Sequence, residues 1–180
     1  MYILDIQASG TGDESYPAEI AWTRMDGSES YSTLINPDSV DGWEKWSHQA
    51  VHHGLTRQEC CERGETATYV ARRVAHLIKD YPVFSESPIE DQQWLDKLFM
   101  SAGKRCPAKL IPIEHAVRSR RRLELHRYLL ARRDEHNAAA NSLLLARAIR
   151  QINASAKSDR RNQSALSSSL KWLKDFSFVT

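Results

Sequence analysis

Three short patterns carry the side chains best suited to chemistry. Asp5-Ile6-Gln7-Ala8-Ser9-Gly10 comes first, Asp91-Gln92-Gln93-Trp94-Leu95 lies midway, and His136-Asn137-Ala138-Ala139-Ala140-Asn141 comes late. Carboxylates such as Asp5 and Asp91 are hard oxygen donors that can hold a divalent cation. A histidine of near-neutral pKa, such as His136, can take a proton from water. The amides of Gln7 and Asn141 offer oxygen without charge. Each pattern by itself is weakly specific. Asp5 alone reads as a strand-end acid near solvent, and His136 alone as an exposed histidine at a helix start.

The elements that must position these residues follow from periodicity. Tyr2, Ile3, Leu4 and Ile6 form a β-prone run, and alternation along a strand puts Ile3, Asp5 and Gln7 on one face. Ala8-Ser9-Gly10-Thr11-Gly12 then reads as a small-residue loop that lets a ligand approach the backbone. Residues 18–25 and 29–35 read as strands joined by a tight turn at Asp26-Gly27, and Asn36-Pro37-Asp38 closes the hairpin. Residues 43–56 predict a short helix capped by Gly54. Ala67, Val70, Ala71, Val74 and Ile78 mark the apolar face of a helix over about 65–79. Residues 82–85 predict a short strand. A helix then starts at Ser87-Pro88-Ile89-Glu90, with Ser87 and Glu90 forming a capping box. Residues 109–113 predict one more strand, with Pro112 at an edge or strand end. From Glu114 the chain reads as mostly helical. Ala138, Asn141, Leu145, Ala148, Ile149 and Ile152 form the stripe of the last helix. Strands first, then alternating helices and strands, predict an α/β domain with a mixed sheet over residues 1–152. Residues 153–180 read as a polar connector with a short C-terminal segment at 170–176.

Composition bounds the rest. The chain has 180 residues, 41% of them hydrophobic and 27% charged, as in an ordinary globular domain. A formal net charge of +2 gives no global case for nucleic-acid binding, so any such case rests on local clusters. The densest basic segment is 118–133, which contains Arg120 and Arg121 and suits either a solvated helix face or phosphate contacts. No run approaches the roughly 18 apolar residues that span a membrane. The three cysteines, two of them adjacent at Cys60 and Cys61, suit neither a disulfide framework nor a zinc site, so a cytoplasmic location is the default expectation.

Taken together in order, the patterns resemble the DEDDh 3′–5′ exonucleases of the ribonuclease H-like fold. That family has Asp-x-Glu-x-Thr/Ser-Gly as its first motif, an Asp followed by a helix as its second, and His-x-Ala-x-x-Asp as its third. Ser15-Tyr16-Pro17-Ala18-Glu19-Ile20-Ala21 and the His53-Gly54-Leu55-Thr56 turn are also similar to the family. The resemblance implies a mixed sheet of about five strands flanked by helices, an antiparallel meander preceding parallel strands. It implies hydrolysis of single-stranded DNA or RNA from the 3′ end by two Mg²⁺ or Mn²⁺ ions, held roughly 4 Å apart. By the same resemblance Asp5 and Asp91 are metal ligands, Asp5 bridging both ions, and His136 is the general base. Positions 7 and 141 complete the site. Ala8, Ser9, Gly10 and Leu55 line the pocket for the terminal nucleotide. Many relatives are dimers, which implies a homodimer.

The chain departs from the family at two of its acids. Position 7 is Gln instead of Glu, and position 141 is Asn instead of Asp. Near-isosteric amides preserve shape but remove two formal charges, which weakens cation binding by an order of several kcal/mol. The expectation is a nuclease-like protein that binds a 3′ end, with a metal site impaired by Gln7 and Asn141 and activity weak or absent. Two alternatives stand beside it. One is an active Mg²⁺- or Mn²⁺-dependent exonuclease in which nearby acids (Asp13, Glu14, Glu86, Glu90, Asp134 or Glu135) compensate. The other is a non-catalytic protein-interaction domain on the same fold.

Overall fold

Strand β1 (Tyr2–Ala8) sits in the interior of the sheet, and its two faces enter two different cores. A computed structural model describes residues 1–47, 54–131 and 137–155. β2 (Pro17–Arg24) pairs antiparallel with β1, and β3 (Ser30–Asn36) pairs antiparallel with β2. The turn between β2 and β3 forms where Asp26-Gly27 predicts it. Asp26 Oδ1 accepts from the Ser28 N–H at 2.9 Å, and Gly27 takes φ +78°, which only glycine adopts without strain. Asn36 closes the hairpin by capping a short 3-10 turn, Pro37–Ser39, through the Asp38 N–H at 2.9 Å.

Beyond the hairpin come α1 (Arg57–Arg63), a two-residue strand β4 (Glu65–Thr66), and α2 (Ala67–Asp80). Then follow β5 (Val83–Ser85), α3 (Pro88–Ser101), β6 (Ile111–Pro112), α4 (Arg122–Ala131) and a last helix, α5, over 138–155. The sheet order is β4-β3-β2-β1-β5-β6, with β5 parallel to β1 and β6 parallel to β5. This is the expected mixed sheet, a meander followed by parallel strands, with six strands instead of about five. The additional strand is β4, too short to show a period of its own. It pairs with Ile35 and Asn36 at the edge of β3. Pro112 does lie on an edge strand, where its missing N–H costs no ladder bond.

One face of the sheet carries Tyr2, Leu4 and Ile6 of β1 with Ile20 and Trp22 of β2. They pack against Val70, Ala71 and Val74 of α2 and Leu95, Leu98 and Phe99 of α3. The other carries Ile3 and Phe84 beneath Leu125 of α4 and Leu145, Ala146 and Ile149 of α5. Each fully buried aliphatic or aromatic side chain stabilises the fold by about 1.5–3 kcal/mol. Among the described residues no helix is long and apolar enough to cross a membrane.

Three local expectations are corrected. Residues 43–47 are not helical; the Trp43 ring stacks on the fully buried Tyr16 ring at 5.1 Å, and the Ser47 N–H donates to the Ser9 carbonyl at 2.8 Å. Tertiary docking overrides the local pattern there, and 48–53 lie outside the described residues. Thr56 instead opens α1 through a capping box with Glu59, a signal present in the sequence as Thr-x-x-Glu. Ser87 makes no side-chain cap to α3, so the box predicted with Glu90 does not form. Finally, α5 continues through 155, three residues into the stretch read as connector; 156–180 lie outside the described residues.

Candidate functional site

The site is built where β1, β2, β5, α3 and α5 converge. On β1 and β2 the register pairs Ile3 with Thr23, Asp5 with Ala21 and Gln7 with Glu19. Because faces alternate along each strand, all six residues lie on the side covered by α5. Helix α5 is fixed to that face by two polar contacts. Thr23 Oγ1 meets Ser142 Oγ at 3.0 Å, and Glu19 Oε2 accepts from the Ala138 N–H at 3.0 Å, with the Ala139 N–H also bonding Glu19. Asn137 Oδ1 accepts from the Ala140 N–H at 2.9 Å and caps the first turn. These contacts place Asn141 one turn into the helix, over Asp5.

The two amides turn their N–H ends toward Asp5. Gln7 Nε2 donates to Asp5 Oδ2 at 2.9 Å, and Asn141 Nδ2 reaches the same oxygen at 3.5 Å, the outer limit of a hydrogen bond. Asn141 is 8% exposed, and its Oδ1 has no hydrogen-bond partner among the described residues. On the parallel side, β5 and α3 deliver Asp91, which is 3% exposed. Its carboxylate accepts from Ser85 Oγ and from the Ile6 N–H. The hydroxyl that serves α3 therefore comes from Ser85 on β5, not from Ser87, and it orients the Asp91 side chain instead of capping the backbone.

Burial sets the electrostatics. Desolvation pushes the Asp5 carboxyl up to about 6 against the opposing Asn141 and Gln7 hydrogen bonds, with the charges of Glu86 and Glu19 adding to the rise. Asp91 is raised well above the ordinary carboxylate range, by desolvation first and by the Asp5 charge second. Glu19 is raised by desolvation, offset in part by its two backbone donors. The site is thus a crowded set of buried and half-buried carboxyls to which neighbouring N–H and O–H groups donate.

The site residues predicted from sequence divide into those brought together and those used otherwise. Asp5, Gln7, Asp91 and Asn141 converge as described. His136 lies outside the described residues, as do Asp134 and Glu135. Ala8 ends β1 at an irregularity in the register after Gln7. Ser9 is fully buried and its polar atoms hold the loop. Its N–H donates to the Tyr16 carbonyl at 2.8 Å, its Oγ accepts from the Tyr16 N–H at 3.1 Å, and its carbonyl accepts from Ser47. A Cβ at Gly10 would lie 2.7 Å from Ser47 Cβ and 2.8 Å from Ser15 Oγ, so close packing within the protein requires that glycine. Leu55 lines a polar groove of about 350 Å³ together with Glu19, Ser32, Leu34, Arg63 and Asn137. The groove borders the site, since Glu19 and Asn137 belong to both. Arg120 and Arg121 form a 3-10 turn before α4; Arg120 is exposed, and Arg121 forms an ion pair with Glu124. Glu19 and Ser85 were not predicted as site residues. The signal for Glu19 was a carboxylate inside an otherwise apolar strand, at the position that pairs with Gln7.

Two carboxylates and two amides presenting N–H to Asp5 do not make a four-carboxylate cradle. Among the described residues no group of three or more His, Cys, Asp or Glu side chains is arranged to hold a metal ion.

The α/β architecture, a six-stranded mixed sheet flanked by helices, is the fold found in solved structures of exonuclease I. A structure of exonuclease I, reported with its basis for processivity, matches with a TM-score of 0.50 and 22% identity over 58% of this chain and 24% of that one. The metal-free E. coli exonuclease I complex with single-stranded DNA matches with a TM-score of 0.51 and 18% identity over the same shares. The zinc-bound form of that complex matches with a TM-score of 0.50 and 20% identity, again over 58% and 24%. The chain thus spans about a quarter of the length of these proteins. At this level of identity the likeness establishes the fold. No protein-family model matches the sequence, and no curated protein matches it.

Proposed function

We propose that this chain is an exonuclease-like protein that holds the 3′ end of a single strand of nucleic acid over Asp5, with its hydrolytic chemistry impaired by Gln7 and Asn141. The observation that carries this reading is the pair of amide hydrogen bonds to Asp5. In a two-metal hydrolase the matching positions supply charge to cations; here they donate N–H to the carboxylate that would bridge those cations. Exonuclease I, solved with single-stranded DNA on the same fold, supports the choice of ligand class. Ordered placement of Asp5, Asp91 and Asn141 on β1, α3 and α5 supports the choice of pocket.

A labelled single strand incubated with Mg²⁺ or Mn²⁺ tests it. The unmodified chain should bind the strand and leave it intact, while the Gln7→Glu, Asn141→Asp double variant gains cleavage by on the order of a hundredfold or more. Robust cleavage by the unmodified chain would overturn the impairment. A second reading, an active metal-dependent exonuclease, is favoured by one observation: Glu86 and Glu19 are near enough for their charges to raise Asp5. In that case cleavage by the unmodified chain would fall when Glu86 is replaced by Gln.

A further inference from the structure

The face of the sheet opposite Asp5 carries a stack of flat groups that reaches the surface. Trp22 and Tyr31 are lateral partners on β2 and β3, with their side chains on the α2 side. Trp22 is buried, and its ring lies against the half-buried Tyr31 ring, with centroids 4.4 Å apart and planes inclined by 30°. The Arg73 guanidinium of α2 sits 4.0 Å from the Tyr31 ring centroid and 5.9 Å from that of Tyr69, and its Nη1 donates to the Tyr69 hydroxyl at 3.3 Å. Two rings and a hydrogen bond thus hold one planar cation in a set orientation. Arg73 is nonetheless exposed, and Tyr69 is 40% exposed.

The surroundings are basic and open. The outward face of α2 presents Tyr69, Arg72, Arg73, His76 and Lys79 at helical spacing, with Asp80 at its far end. Arg72 makes no ion pair among the described residues, and Glu65 is the carboxylate whose charge reaches Arg73. Beside the stack β3 keeps an open edge, because β4 pairs only with Ile35 and Asn36. The groove that borders the candidate site runs past Ser32, Thr33 and Leu34 of that strand. Tyr31 lies next along it, about 10 Å from Leu34 at roughly 3.3 Å per residue. A chain leaving the site through the groove therefore meets the Arg73 stack. Layered rings under a planar cation, with a second arginine alongside, match a nucleotide unit: the base stacks and the phosphate meets the charge. An acidic peptide would use the charge and leave the layers idle.

We infer that Tyr31, Arg73 and Tyr69 form a second contact for single-stranded nucleic acid, away from the candidate site. A base upstream of the 3′ end stacks on the exposed Arg73–Tyr69 surface, and Arg72 meets a flanking phosphate. This rests on the reading that the chain binds a single strand. The contact needs no divalent cation, since its partners are rings and guanidinium groups.

Binding of 5′-fluorescein oligothymidylate, followed by anisotropy in EDTA, tests the contact from both sides. Arg73→Ala should weaken binding roughly tenfold, the worth of one stacked base. Arg73→Lys keeps the charge without the planar fork; it should lose most of the same affinity and leave the salt dependence unchanged. Arg72→Ala should instead lower the slope of log affinity on log salt by about one phosphate contact. A strand with bases at its 3′ end and abasic residues upstream should bind the unmodified protein as weakly as the intact strand binds Arg73→Ala. Arg73→Ala should weaken that abasic strand no further. Arg72 and Arg73 are exposed, so the variants keep the buried face of α2, and their urea midpoints should stay near that of the unmodified protein. Unchanged affinity in Arg73→Ala, or equal binding of abasic and intact strands, would overturn the inference. Loss of binding to poly-L-glutamate in Arg73→Ala, with oligothymidylate unaffected, would overturn it too and give the surface to an acidic protein. Failure of every strand to bind the unmodified protein would instead overturn the nucleic-acid reading on which the contact rests.

Discussion

The two faces of β1 are made from alternate residues of one strand, yet they are completed in different ways. Tyr2, Leu4 and Ile6 meet α2 and α3, and every group in that core is apolar or nearly so. Asp5, bonded by Gln7 on its own strand, meets an amide that arrives from Asn141 on α5, at a sequence separation of 136. The apolar face needs only volume from its partners. The polar face needs particular atoms at particular distances, and it pays for their burial with raised carboxyl pKa values. One face supplies stability and the other spends it, so substitutions on the two should have different magnitudes and different dependence on conditions.

The largest effect belongs to the apolar face. Leu4 is fully buried, and Leu4→Ala should destabilise the protein by about 2–5 kcal/mol through lost transfer energy and a residual cavity. Urea denaturation measures it, and the loss should be the same at every pH where the protein is folded.

The polar face should show the opposite behaviour. The folded state raises the Asp5 carboxyl from 3.8 to about 6, so it holds the proton more tightly than the unfolded chain does. Stability from this group is therefore present in full below about pH 4 and is lost as pH rises toward about pH 6. The loss should be on the order of 2 kcal/mol. Asp91 shifts in the same direction, by desolvation first and by the Asp5 charge second. Asp5→Asn should flatten much of this slope, and unfolding free energies from about pH 4 to about pH 7 for the two proteins test it. A slope unchanged by Asp5→Asn would mean that burial of Asp5 carries no such cost.

A smaller effect should follow at the seam between β2 and α5. Glu19→Ala leaves the Ala138 and Ala139 N–H groups without their acceptor, at a cost of about 1–3 kcal/mol. Glu19→Gln keeps one amide oxygen in place and should recover part of that loss. Equal destabilisation by the two variants, read from urea midpoints, would show that the charge of Glu19, not its acceptor, secures α5.

How much of each face was legible in the sequence follows from the same contrast. Alternation in β1, the Asp26-Gly27 turn and the stripe of Val70, Ala71 and Val74 are local signals, and each formed its expected element. The helix read over 43–56 did not form over 43–47 because Trp43 has a better partner in Tyr16, which is far enough away in sequence to be invisible to periodicity. The Ser87 capping box failed for a related reason. Ser85, two residues earlier at the end of β5, binds the Asp91 side chain, and the helix starts without a side-chain cap. Asp5, Gln7, Asp91 and Asn141 were singled out by ordered motifs, but the direction of the amides and the latch at Glu19 depend on register and helix docking. Those are long-range outcomes, and no single segment encodes them.

The smallest expected effect lies outside both faces, on the basic segment before α4. Arg121 forms an ion pair with Glu124, whereas Arg120 is exposed beside it. Arg120→Ala should change stability by no more than about 0.5 kcal/mol, because it removes no buried contact. If the bound strand runs across this segment, the same substitution lowers the dependence of log affinity on log salt by about one phosphate contact. An unchanged salt dependence would restrict the strand to the polar face of β1 and the groove beside Leu55. Binding would then be controlled by the short-range atoms around Asp5, not by the long-range field of the arginines.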